Sequence, residues 1–319
     1  MVERKRPETR LYPDAKLSVP KLYVRAMTLK AYLAARAKEV DAALDRFLPK
    51  KTAAPATIHA AMRYTVFAGG KRLRPILTLA AAEACGGEPT NALAPACAVE
   101  VLHTYSLVHD DLPCMDDDDL RRGRPTCHKV YGEGMAVLTG DALLTEAFLM
   151  LAQTPASKRY SAKDYVAELA LTGGSRKLIG GQVLDLEGEG KKLTKAGLIK
   201  IHEAKTAALL TTSLRLGGMT ANATPKQLEA LTDFGYALGL AFQVIDDILD
   251  VTQSTEMLGK TAGKDAAVEK STYPSVLGLE KSRKEAAKLT RQAMDALKPF
   301  GKKADRLREI ASYLLDREY

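Results

Sequence analysis

The chain has 319 residues, of which 46% are hydrophobic and 27% charged, with a net charge of +8 and a pI near 9.1. Those proportions exclude a disordered or fibrous chain, and the length fits either two domains or one large one. The positive balance suits nucleic acid, a membrane surface or small polyanions, but Trp is absent and the six Phe are not interleaved with basic residues, which speaks against a nucleic-acid stacking surface.

Residues 1–21 place acidic residues and prolines where a signal peptide would have an apolar core, and they read as a flexible basic arm. From about Leu22 onward apolar residues recur at three- and four-residue spacing, as in TLKAYLAARAKEVDAALDRFL, and alternating strand-like runs are nearly absent. The period predicts an all-α protein. Glycine pairs at Gly69-Gly70, Gly86-Gly87, Gly173-Gly174, Gly180-Gly181 and Gly217-Gly218 cut it into helices of ordinary length. No composition shift or fixed-period repeat divides residues 22–319, so they are expected to form one domain. No apolar run approaches the roughly 20 residues of a membrane span. Cys85, Cys97, Cys114 and Cys127 form no CxxC pair and have no His at zinc spacing. They read as reduced thiols of a cytoplasmic protein.

The first aspartate-rich segment is HTYSLVHDDLPCMDDDDLRRGRPTCH. Asp110 and Asp111 end an apolar helical stretch that Pro113 should stop, and Asp116 to Asp119 follow at once. Two carboxylates at a helix C-terminus, with four more beside them, are costly unless cations neutralise them. A solvated acidic loop is the usual fate of such a run. An EF-hand is excluded, because Arg121 stands sixth from Asp116 where that loop needs glycine.

The second segment, FGYALGLAFQVIDDILDVTQ, is strongly apolar, and Asp246, Asp247 and Asp250 interrupt it. Asp246 and Asp250 are at i and i+4, so both carboxylates lie on one helix face and can share hard divalent cations. Pairing with Lys or Arg would serve for one such aspartate but is a poor account of three. Two clusters with oxygen ligands only suit Mg²⁺, which keeps waters and is shared with substrate phosphates. Basic residues to complete a phosphate cage are present in GGKRLRP (Gly69 to Pro75), Arg121-Arg122, Lys205-Thr206 and GKTAGKD, which contains Lys260 and Lys264. GGKRLRP lacks the GxxxxGK[ST] spacing of a P-loop and by itself reads as a solvated helix start.

In kind, order and spacing, GGKRLRP, DDLPCMDDDDLRRGRPTCH, FQVIDDILD and GKTAGKD resemble the trans-prenyl diphosphate synthase family over nearly the whole chain. The resemblance implies a single large bundle of antiparallel helices around a central cavity, usually a homodimer, with the two aspartate motifs facing one another across its mouth. It implies that Asp110, Asp116 and Asp246 ligate Mg²⁺, three ions per site with diphosphate bound, supported by Asp111, Asp247 and Asp250. It further implies that Arg121, Lys205, Thr206, Gln243 and Lys260 contact an allylic diphosphate. Gly70, Lys71, Arg74, His103 and Arg122 are then the isopentenyl diphosphate site. Without the resemblance His103 would read as a core histidine.

The implied reaction is the head-to-tail condensation of isopentenyl diphosphate with dimethylallyl or geranyl diphosphate, with no protein nucleophile. The Gly259 to Asp265 loop is expected to close over substrate and exclude water. Leu102, Leu107 and Val99 are expected to offer the growing tail an apolar path. Tyr105 precedes Asp110 by five residues, about 7.5 Å along a helix, where its ring is expected to block further elongation, and Ser106 beside it is small. That aromatic, with Pro113 and Cys114 inserted in the first motif, is similar to bacterial-type farnesyl diphosphate synthases. The C15 product is therefore expected, with geranylgeranyl diphosphate as the alternative. A terpene cyclase shares only the first motif, and a non-catalytic partner subunit would have eroded ones.

Overall fold

Tyr32, Arg36, Val40, Ala43 and Leu44 recur at helical spacing and are buried together, which makes Leu29–Phe47 (α1) an amphipathic helix. The Thr28 hydroxyl caps it by accepting from the Ala31 N–H at 3.3 Å. The same period builds Ala56–Val66 (α2), Leu73–Ala84 (α3) and Leu93–Asp110 (α4). A two-residue hairpin, Leu120–Arg121 (β1) with Arg124–Pro125 (β2), pairs Leu120 with Pro125 and Arg121 with Arg124 in antiparallel register. After it come Cys127–Tyr131 (α5), Glu133–Ala152 (α6), Ala162–Gly173 (α7), Leu178–Gly188 (α8), Lys195–His202 (α9), Ala208–Thr220 (α10) and Pro225–Thr252 (α11). Tyr273–Leu277 (α12), Leu279–Ala296 (α13) and Asp305–Leu315 (α14) complete an all-α bundle. This computed structural model describes residues 27–252 and 271–315. The basic arm over 1–21, Lys260, Lys264 and the rest of the Gly259 to Asp265 loop lie outside the described residues.

The core has two parts. Leu231, Phe234, Leu238 and Ile245 of α11 pack with α3, α10, α13 and α14, while Val99, Leu102, Leu143 and Tyr165 join α4, α6 and α7. The space between α4, α6, α8 and α10 is a cavity.

Two expectations are corrected. Helix α6 is long and apolar enough by length and composition to cross a membrane, although no such run was expected. Its inner face, with Leu143, Ala147 and Leu151, packs in the bundle against α4, while Val137 and Leu138 near its start stay exposed. Arg72, expected in a solvated helix start, is only 3% exposed. Its guanidinium meets Glu100 at 2.9 Å, Asp41 at 2.8 Å and the Val66 carbonyl at 2.7 Å, which ties α1, α2 and α4 to the start of α3.

Candidate active site

Helix α4 ends at Asp110, as the proline two residues past Asp111 predicts. Burial pushes the Asp110 carboxyl up to about 6, with the Lys205 ammonium pulling the other way and Asp116 adding to the rise. Asp111 is only 3% exposed and accepts from Arg121 Nε at 2.6 Å, and Arg121 reaches Asp118 at 3.3 Å as well. Burial also raises the Asp111 carboxyl, against the pull of Arg121. The Asp116 N–H donates to the Asp110 carbonyl at 2.8 Å. The hairpin therefore folds the aspartate run back beneath the end of α4, and Arg121 holds it there.

Helix α11 forms the facing wall. Asp246 and Asp250 stand one turn apart on it. Asp247 is buried and accepts the Tyr273 N–H at 2.8 Å, so one of its oxygens anchors α12 to α11. Gln243 accepts from the Thr206 hydroxyl at 2.7 Å. A polar cavity of about 160 Å³ is lined here by Asp185, Lys205, Gln243, Asp246, Asp247 and Thr272.

Lys205 and Thr206 lie between the walls, on a π turn over Glu203–Ala207 that interrupts the line of α9 and α10. Such turns are rare and cluster at functional sites. Glycines clamp it from both sides: a Cβ on Gly181 of α8 would lie 2.6 Å from the Lys205 nitrogen, and one on Gly239 of α11 would lie 2.5 Å from the Ala207 Cα. Lys205 lines both the polar cavity and the larger apolar one, so its charge stands between the two aspartate motifs. Its ammonium donates to Asp185 at 2.7 Å.

Arg74, His103 and Arg122 make a third group. Arg74 and His103 line the larger cavity, and Arg122 donates to the Gly69 carbonyl. Gly70 has φ +125°, a backbone conformation that favours glycine, and the Arg122 guanidinium lies 2.6 Å from where a Cβ would stand. Burial and then the charges of Arg74, Arg122 and Arg121 hold His103 well below its usual range, so it is neutral. Burial likewise lowers Arg74 and Arg122. The Arg74 Nε is buried without a hydrogen-bond partner. Crowded cationic donors of this kind fit an anion. Lys71 is exposed and lines none of these cavities.

The larger cavity measures about 730 Å³ and is mostly apolar. Leu107 lines it, but Val99 and Leu102 do not: both are fully buried in the core, where Leu102 meets Gly173 of α7. The expected apolar path is thus corrected. At 100° per residue Leu107 shares a face with His103 and Asp110 and Leu102 does not; Val99 shares that face but sits eleven residues before Asp110, in the core, and the walls come from Val137 and Leu144 of α6 and from Ile179, Val183 and Leu186 of α8. Tyr105 is in the wall, 5% exposed, and the Ser106 hydroxyl donates to the His103 carbonyl at 2.9 Å.

Among the described residues no three His, Cys, Asp or Glu side chains already converge as a metal cluster. The donors still fit hard divalent cations: both walls offer carboxylates, and burial with the neighbouring aspartates outweighs Lys205 and Arg121 at Asp110, leaving its carboxyl raised toward 6. Asp185, Gln182 and the π turn were missed in the sequence. The polar residues in GGQVLDLEG, between helix-forming apolar ones, were the available signal for the first two.

Residues 55–314 match the family model described as polyprenyl synthetase. A heterodimeric geranylgeranyl pyrophosphate synthase large subunit 1, chloroplastic, of Arabidopsis thaliana is 50% identical over 295 residues, covering 90% of this chain and 79% of that protein. The chloroplastic geranylgeranyl pyrophosphate synthase of Capsicum annuum is 50% identical over 292 residues, covering 91% and 79%. The crystal structure of a putative farnesyl-diphosphate synthase from Marinomonas sp. MED121 superposes with a TM-score of 0.79 at 38% identity, covering 91% of this chain and 100% of that one. An apo FPP/GFPP synthase from Zymomonas mobilis gives 0.79 at 34% identity, covering 90% and 98%.

Proposed function

Because the chain belongs to the polyprenyl synthetase family, we propose that it joins isopentenyl diphosphate head to tail (1′–4) to allylic diphosphates and releases geranylgeranyl diphosphate. The observation that carries the reading is the placement of Lys205 between Asp110 and Asp246, over one apolar cavity whose rim also bears Arg74 and His103. Asp110, Asp116 and Asp246 are the ligands proposed for Mg²⁺, three ions per site, with Asp111, Asp247 and Asp250 in support. When bound, the ions neutralise the diphosphate that leaves.

The protein's own part is binding, orientation and exclusion of water. Arg121, Lys205, Thr206 and Gln243 hold the allylic diphosphate, joined by Lys260 from outside the described residues. Gly70, Lys71, Arg74, His103 and Arg122 hold isopentenyl diphosphate. Fixed cations stabilise the departing charge as the allylic C–O bond breaks and its electron pair leaves with diphosphate. The isopentenyl double bond, held alongside, forms the new C–C bond, and a proton passes from its C2 to the released diphosphate. Apolar walls keep water from the allylic cation.

The C20 product rests on relatives about 50% identical that are named geranylgeranyl pyrophosphate synthases. A second reading, farnesyl diphosphate, is favoured by the Tyr105 ring in the cavity wall. Incubation with isopentenyl diphosphate, each allylic diphosphate and Mg²⁺, followed by mass analysis, tests both. Mainly C20 supports the first, mainly C15 the second, and no Mg²⁺-dependent product overturns the activity. We further propose a homodimer: Leu138 of α6 and Leu171 of α7 are exposed apolar side chains suited to a second copy, and sedimentation tests it. The four free thiols suit a reducing compartment such as the cytoplasm.

A further inference from the structure

Tyr105 has an aromatic neighbour in the cavity wall. Its ring packs edge-on against His109, one helical turn on, with centroids 5.6 Å apart and planes at 86°. The His109 ring is in turn seated on α6: Nε2 lies 3.0 Å from the Val137 carbonyl, a contact in which Nε2–H donates. The seat exists because residue 140 is glycine, for a Cβ there would fall on the imidazole ring itself. Tyr105, His109 and Val137 all line the larger cavity.

We propose that His109, seated on Gly140, is a positioning residue for product length, acting through Tyr105. The inference rests on the reading of Tyr105 as the limit of the cavity, whichever product that limit selects. Without the imidazole, Tyr105 loses its edge contact and swings into the vacated seat, and the wall recedes. With Gly140 replaced by alanine, the ring leaves its seat and Tyr105 moves with it. Neither residue needs to touch a diphosphate for this.

The full-length enzyme, assayed with Mg²⁺, isopentenyl diphosphate and geranyl diphosphate, is read by the mass distribution of its products. His109→Ala is expected to raise the ratio of longer to parental product about two- to tenfold, the worth of one edge-on ring contact. His109→Phe, which keeps a ring on the seat, is expected to retain parental products. The double variant Tyr105→Ala/His109→Ala should go no further than Tyr105→Ala alone. Parental products from His109→Ala beside lengthened ones from Tyr105→Ala overturn the proposal, as does additivity in the double variant or a His109→Phe shift as large as that of His109→Ala. If Tyr105→Ala itself leaves lengths unchanged, the Tyr105 limit fails and the proposal with it. Should His109→Ala not fold, Gly140→Ala is read in the same way: altered lengths support the seat and parental lengths overturn it.

Discussion

The Lys205 ammonium lies 2.7 Å from an Asp185 carboxylate oxygen, and this pair holds the π turn to α8. Lys205 is the positive charge next to the buried Asp110, so Asp185 determines where that charge sits. Asp185→Asn removes a charge-assisted hydrogen bond, worth about 1.5–3 kcal/mol. Steady-state kinetics should show kcat/KM for the allylic diphosphate lower by about ten- to a hundredfold. An unchanged kcat/KM would mean that Lys205 is positioned without Asp185.

The glycines that clamp the π turn make a second prediction. Gly239→Ala places a methyl 2.5 Å from the Ala207 Cα, a backbone atom that cannot step aside alone. The overpacking should cost about 1–3 kcal/mol of stability by denaturant unfolding. The displaced Lys205 and Thr206 should lower kcat as well. Full activity in a destabilised variant would uncouple the turn from catalysis.

His103 gives a pH dependence. Burial and the neighbouring arginines hold it neutral in the fold, well below its ordinary 6.5. Below about pH 6.5 the unfolded chain takes up a proton there that the folded chain does not. Stability from this group is therefore full above that pH and declines as pH falls, by about 1.4 kcal/mol per unit. His103→Gln should flatten the urea-unfolding stability between pH 6.5 and 5.5 relative to the parent. Equal slopes in the two proteins would rule out the neutral assignment.

The buried pair of Arg72 with Glu100, at 2.9 Å, is a stability prediction separate from the chemistry. Glu100→Gln leaves the guanidinium with only the half-exposed Asp41 as a charge partner and should cost about 3–5 kcal/mol. Arg72→Met combined with Glu100→Leu should recover most of that in urea unfolding. A double variant as unstable as the single one would show that the pair contributes more than charge compensation.

Much of the fold was legible because helical periodicity is a local property. The run around Tyr32, Arg36 and Val40 has one buried face in the sequence and in the structure, and α4 stops at Asp110 because Pro113 forbids continuation. What was not legible came from packing partners. Arg72 looked solvated because Glu100 and Asp41 are distant in sequence, and Leu102 looked like cavity wall because its facing neighbour, Gly173, is not apparent in α4. Local pattern likewise gave no warning of the π turn, which two glycines on other helices make room for.

The sequence by itself determined which residues carry charge and in what order: the aspartates of two motifs, the basic residues between them, and an aromatic five residues before the first. Covalent order is sufficient for that. Only the tertiary structure decided which of these charges face one another. It gave one Asp247 oxygen to the Tyr273 N–H, gave Asp111 to Arg121, and set Lys205 between the motifs. The reason is that a buried charge is tolerable only beside its partner, and partners are chosen by helix packing rather than by position in the chain.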